Sequence, residues 1–349
     1  MVDRMNDCFL KTAKGAVLDR TPIWMMRQAG RYLPEYRQLR KQVTDFIEFC
    51  HTPELCCEAT LQPLRRFDLD AAIIFNDILT LPNTMGAPLT FVPGTGPCFS
   101  QPIRSLQDVK ALRNVDTDDM GYVMQAIEMI RPQLSLPLIG FAGSPWTVAS
   151  YLVEGSGSKV WPTIRAMLYQ QPNILHALLE LLARNTAVYL NGQIAAGADA
   201  IMLFDSWGGV LAQDQYSAFS LQYIEQTIEQ LKVGSGEDRV PVIVFVKQGL
   251  PWLEQIAVCG CDVVAVDGSV NLESVVAQLG GHRCVQGNLD PFSLYGDAAS
   301  IEKQVRRIMT ACQGVPHIMN LGHGIDKDTP IAGVEAMIAA VRQFECVAN

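Results

Sequence analysis

The chain has 349 residues, 49% of them hydrophobic, with a formal charge of −9 and a pI near 5.1. That apolar content supplies one large core or two smaller ones, and the acidity argues against nucleic acid as the main partner. No segment reaches the roughly 20 apolar residues of a membrane span. Residues 1–10 carry Asp3, Arg4, Asn6 and Asp7, so they do not read as a secretory signal. Ten cysteines without such a signal read as reduced, mostly buried thiols of a cytoplasmic protein.

From the N-terminus onward, short apolar or β-branched runs alternate with stretches of helical periodicity. The first run, residues 23–26, opens the string PIWMMRQAGRYLPEYRQLR, which gathers Arg27, Arg31, Arg37 and Arg40 with only Glu35 opposing them. In an acidic chain such a cluster suggests a local anion site, because guanidinium groups hold carboxylates bidentately. The plainer alternative is a solvated basic helix face. The second run, 71–75, leads to Asp77. Residues 89–103, rich in Gly, Pro and Thr, read as an inserted hairpin or loop. The third run, 138–141, is followed by Gly143-Ser144-Pro145-Trp146 and then Tyr151. A helix over 173–194 precedes the fourth run, 200–204, which ends at Asp205-Ser206. After a helix over 216–231 come runs at 242–246, 263–266, 284–289 and 317–321. Lys247 and Asp267 follow two of them, Asn288 lies in the third, and His323 lies just past the last.

Runs that are apolar throughout suit strands buried on both faces of a parallel sheet. Eight such alternations predict an α/β chain folded as a (β/α)8 barrel, a single domain over 1–349 with an inserted hairpin. A barrel carries its site at the C-terminal ends of its strands, so the polar residues after the runs are expected to meet in one pocket.

The chain has no Walker loop, dinucleotide-binding glycine motif, nucleophile elbow or H-E-x-x-H. Gly94-Thr95-Gly96 and Gly155-Ser156-Gly157 read as turns. Cys259-Gly260-Cys261 is a weak metal signal without a second pair. His282-Arg283-Cys284 could ligate zinc with a third thiolate from Cys312 or Cys346, or simply be a polar turn entering a strand.

The segments PIWMMRQAGRYLPEYR, IIFNDILTLP, LIGFAGSPWTVASYLVEG, LFDSWGG, VQGNLDP and NLGHGI together resemble the uroporphyrinogen decarboxylase family of haem biosynthesis, in its order and over nearly the whole chain. The resemblance implies a (β/α)8 barrel, usually a homodimer, that uses no metal or organic cofactor. Its substrate would be uroporphyrinogen III, which loses CO2 from four acetate side chains in succession to give coproporphyrinogen III. The same resemblance implies site roles. Asp77 would sit over the macrocycle centre and accept pyrrole N–H bonds. Arg27 and Arg31 would pair with acetate or propionate groups, with the backbone of Gln28, Ala29 and Gly30 lining the pocket. Tyr151 would orient the reacting acetate, Ser206 would bind a carboxylate, and His323 would be a carboxylate ligand and an acid. Catalysis would thus rest on Asp77, Arg27, Tyr151 and His323. Arg37 and Arg40 are expected to brace the segment. Trp207 stands where some members carry His. Two other classes compete: a zinc-using corrinoid-linked methyltransferase, raised by His282 and Cys284, and a non-catalytic tetrapyrrole carrier.

Overall fold

The computed structural model describes residues 7–344; Cys346 and residues 1–6 lie outside them. The second to eighth apolar runs become strands. They are β1 (Ala72–Ile73), β4 (Leu138–Gly143), β5 (Ala200–Asp205), β6 (Val242–Val246), β7 (Val263–Val266), β8 (Cys284–Gln286) and β9 (His317–Ile318). Among the described residues these seven pair in parallel in the order β1-β4-β5-β6-β7-β8-β9. The inserted segment forms the antiparallel hairpin β2 (Leu89–Val92) and β3 (Gly96–Phe99). Its turn passes through Gly94 and Gly96 at φ 80° and 91°, a region that glycine enters without steric cost.

The first run closes the barrel without forming an extended strand. Ile23 makes a parallel bridge to Met319, and Met319 N–H donates to Pro22 O at 2.8 Å. On the other side Asp70 N–H donates to Ile23 O, and Ile23 N–H returns a bond to the Asp70 carboxylate, both at 2.8 Å. Asp70 is itself fully buried and pairs with Arg20 and Arg342. One ion-pair knot at the N-terminal end of the staves therefore ties Arg20 and Asp70, near the start of the chain, to Arg342 near its end.

The strand residues follow the expected pattern. All five of β6, VIVFV, are buried, as strands with a packed barrel interior and a helix outside must be. Each such side chain contributes about 1.5–3 kcal/mol of burial energy. The expected helix over 173–194 spans Pro172–Ala196. The one expected over 216–231 is interrupted. Gln213–Tyr216 and Gln222–Glu229 are α-helical, with a π-helical turn at Ser217–Leu221 between them. That wide turn presents Ser220 inward, where its hydroxyl donates to Asp205 Oδ2 at 2.7 Å.

Candidate active site

The site lies at the C-terminal ends of the strands, and its first wall is the turn after the first run. Arg27 adopts φ +60°, a left-handed conformation that costs a non-glycine residue free energy and needs surrounding support. The support is visible. Met26 N–H donates to Asn320 Oδ1 at 3.0 Å, and Gln28 N–H to Met25 O at 3.0 Å. The buried Gln28 side chain accepts from Met25 N–H and donates to Ala71 O, each at 3.3 Å. Tyr32 O–H donates to Gln28 O at 2.8 Å. The Arg27 stem then crosses Gly324, where an added Cβ would lie 2.7 Å from Arg27 Cγ. Glycine beside His323 is thus required by the close passage of the arginine.

Asp77 follows β1. Its Oδ1 accepts the Leu79 N–H at 2.9 Å, shaping the entry to the helix Thr80–Thr84. Among the described residues no donor reaches its Oδ2. Burial raises its pKa, opposed by the Leu79 N–H and by the Arg27 charge. The carboxylate therefore has one oxygen committed to the fold and one open to a ligand.

Asp205, at the end of β5, is built the other way. It is 0% exposed and accepts from Ser144 Oγ at 2.7 Å, Thr147 Oγ1 at 2.9 Å and Ser220 Oγ at 2.7 Å, together with a Gly208 backbone N–H. Gly208 has no room for a side chain, since a Cβ would lie 2.9 Å from the Asp205 carboxyl carbon. The carboxylate fixes the Ser206–Gly208 loop to the helix Pro145–Glu154, which carries Tyr151. On sequence Asp205 was one polar strand end among several; its partners come from three separate segments and carry no local signature.

Tyr151 stands behind the pocket, half-buried in an aromatic cluster. Its ring centroid is 5.0 Å from Trp161 and 6.4 Å from Trp207, and the two indoles are 4.8 Å apart. Burial raises its pKa, and the charges of Asp77 and Arg27 act on it in opposite directions.

His323 faces the barrel mouth, 6.3 Å from the Phe245 ring. Burial lowers its pKa to about 4, helped by the charges of Arg27 and Lys247 and opposed by Asp267. Without a ligand this shift favours the uncharged imidazole at neutral pH.

Two connected cavities receive these groups. A cleft of about 1410 Å³ is lined by Arg27, Ala29, Gly30, Arg31, Arg40 and the β2–β3 hairpin. A deeper chamber of about 180 Å³ is walled by Phe141, Phe204, Phe245, Ser206 and the Gln28 segment. Arg27, Asp77 and His323 lie at the junction and line both. Tyr151, Lys247, Asp267 and Asn288 line neither. Asp267 caps Ser269 N–H at 2.8 Å, and Asn288 Nδ2 donates to Asp267 O at 2.7 Å, so these two pin loops.

The four arginines divide. Arg37 braces its own segment through Arg31 O at 2.7 Å, as expected. Arg40 also braces, donating to Thr44 O at 3.1 Å and lying over the Phe46 ring, but it reaches the cleft wall as well. Glu35 pairs with Arg66 at 2.7 Å, and the Arg37 charge also acts on its carboxylate. His282 is exposed while Cys284 is buried within β8. Among the described residues no three His, Cys, Asp or Glu side chains are grouped to hold a metal ion, and no helix is long and apolar enough to cross a membrane.

A family model described as uroporphyrinogen decarboxylase matches residues 4–344. The chain is 50% identical over 343 residues to the uroporphyrinogen decarboxylase of Alkalilimnicola ehrlichii, covering 97% of this chain and 94% of that one. Identity to the Coxiella burnetii enzyme of the same name is 49% over 348 residues, covering 99% and 96%. Among solved structures, a methyltransferase from Methanosarcina mazei superposes with a TM-score of 0.78 over 96% of this chain and 97% of that one, at 19% identity, which speaks to the fold alone. With its barrel, its arginine-walled cleft and these near-full-length relatives, the chain belongs to the uroporphyrinogen decarboxylase family.

Proposed function

We propose that the chain is a carboxy-lyase that converts uroporphyrinogen III to coproporphyrinogen III, releasing four CO2 in succession from the acetate side chains. It works as one barrel domain, as a cytoplasmic homodimer, with no metal or organic cofactor. The observation that carries this reading is the junction of the two cavities, which Arg27, Asp77 and His323 all line and where Asp77 keeps one carboxylate oxygen uncommitted. A cleft of about 1410 Å³ exceeds the roughly 300–1,000 Å³ of ordinary small-molecule sites and suits a macrocycle.

Each step exchanges a carboxylate for a proton. Protonation of a pyrrole ring carbon makes a cationic, iminium-like ring that takes the electrons left as CO2 departs. A proton then adds at the exocyclic carbon to make a methyl group, and the ring carbon gives up the proton it had gained, which restores the pyrrole. The ring serves as its own electron sink. The protein must hold a polyanion, stabilise a transient cation and place protons.

Asp77 accepts pyrrole N–H bonds at its free oxygen and faces the positive charge as it develops. A charge fixed in advance where the transition state needs it is often the largest catalytic contribution. Arg27 and Arg31 hold acetate and propionate carboxylates, with Gln28, Ala29 and Gly30 presenting backbone around them. Ser206 and neutral His323 donate to further carboxylates. Tyr151 orients the reacting acetate.

The test is turnover of freshly reduced uroporphyrinogen III under anaerobic conditions, with and without a chelator. The reading predicts stepwise seven-, six-, five- and four-carboxyl products in both arms. Tight binding without product would mean a carrier, and activity abolished by the chelator and restored by zinc would mean metal chemistry; either overturns it.

A further inference from the structure

The Ser206–Gly208 loop holds a residue whose side-chain hydrogen-bonding group is unused. Trp207 has its backbone fixed at both ends by the helix that carries Tyr151. Its N–H donates to Thr147 Oγ1 at 3.2 Å, and its carbonyl accepts Trp146 Nε1–H at 2.9 Å. Thr147 is in turn tied to the buried Asp205. Trp207 and Tyr151 are thus locked to one rigid helix, and each ring lies against Trp161.

The Trp207 indole N–H is buried and meets no acceptor at full hydrogen-bonding geometry. A buried, unpaired donor costs roughly 1–3 kcal/mol. The group it approaches is the Tyr151 hydroxyl, whose pKa it holds back against burial. Above the indole sits the Lys247 ammonium, 5.4 Å from the ring centroid. Lys247 has no carboxylate partner among the described residues. A cation over the ring face draws electron density from the indole, making its N–H a stronger donor.

We propose that Trp207 is a positioning residue, polarised by Lys247, that fixes the Tyr151 hydroxyl so that its proton points at the reacting acetate. The argument is one of hydrogen-bond inventory. An indole can only donate, so a tyrosine oxygen that accepts from it must turn its own proton elsewhere. Trp161 and Trp207 pack against the ring, and although Tyr151 itself lines neither cavity, the charges of Asp77 and Arg27 at the cavity junction reach its hydroxyl. The contact is long without substrate and tightens when the acetate anchors the hydroxyl, as catalytic hydrogen bonds commonly do. The proposal rests on the decarboxylase reading given above.

The experiment is a double-mutant cycle. Trp207→Phe keeps the aromatic packing and removes the N–H. It should lower kcat about tenfold, the worth of one hydrogen bond, with KM little changed. Any alkaline limb of the kcat profile due to Tyr151 should move up, because a donor to the phenolic oxygen has been removed. Lys247→Met should lower kcat less. In a Tyr151→Phe background both effects should vanish, because each acts through the hydroxyl. Full kcat in Trp207→Phe, or the same tenfold loss in the Tyr151→Phe background, overturns the proposal. If Trp207→Phe fails to fold, the Lys247→Met cycle decides by the same criterion. An unmodified enzyme that leaves the substrate unchanged would instead refute the decarboxylase reading itself.

Discussion

Two carboxylates stand at the C-terminal rim of the barrel, Asp205 sealed from water and Asp77 half-buried at the cavity junction, and the fold treats them in opposite ways. Asp205 spends its acceptor capacity on Ser144, Thr147, Ser220 and Gly208. Asp77 spends one oxygen on Leu79 and leaves the other to the cavity junction. Burial raises the pKa of both. For Asp205 hydrogen bonds within the protein offset that cost. For Asp77 much of the compensation has to come from what binds. Burial alone therefore does not mark a functional acid here; the count of satisfied oxygens does.

The sharpest way to break the comparison on the scaffold side is Asp205→Ala. It strands the Ser144, Thr147 and Ser220 hydroxyls, each costing roughly 1–3 kcal/mol when buried and unpaired. A stability loss of about 4 kcal/mol is expected from urea midpoints at constant m-value. On the functional side, Gly324→Ala tests whether Arg27 must pass where it does. The new Cβ would lie 2.7 Å from Arg27 Cγ. Displacing the guanidinium by about 1 Å should cost 10- to 100-fold in kcat/KM, with a smaller stability change than Asp205→Ala.

The smallest expected effect concerns a buried base rather than an acid. His317 is 4% exposed, and its Nε2–H donates to Gly287 O at 2.8 Å. Burial lowers its pKa to about 4. Below its ordinary value near 6.5 the unfolded chain takes up a proton that the folded chain refuses, so stability falls as pH drops from about 6.5 toward 4. Between pH 7 and pH 5.5 this contributes about 1 kcal/mol. His317→Gln, which keeps a donor for Gly287, should lose that share of the acid sensitivity.

Much of the fold was legible because a buried parallel strand needs apolar residues on both faces. Seven of the eight runs became strands, and the remaining one, the first, closes the barrel through the bridge of Ile23 to Met319. The hairpin was legible from its turn glycines. The polar residues that end apolar runs pointed to Arg27, Asp77, Ser206 and His323, which do line the cavities. The same rule overreached at Asp267 and Asn288, which hold loops, because a strand end needs polar caps as well as ligands. The ion pair of Glu35 with Arg66 was not legible because the partner is 31 residues away. The near-acidic pKa of His323 was hidden for the same reason, since Arg27, Lys247 and Asp267 approach it from three different strands' ends. The four-donor frame of Asp205 likewise exists only after folding.

The most direct measurement is turnover per folded molecule of Asp77→Asn, read beside its thermal midpoint. Because burial penalises the charge of Asp77 at neutral pH, the amide should leave the midpoint unchanged or higher. Turnover should fall at least 100-fold, the loss of about two charge-assisted hydrogen bonds. An Asp77→Asn protein that turns over at near the native rate, or that unfolds as Asp205→Ala is expected to, would contradict the division between the two carboxylates.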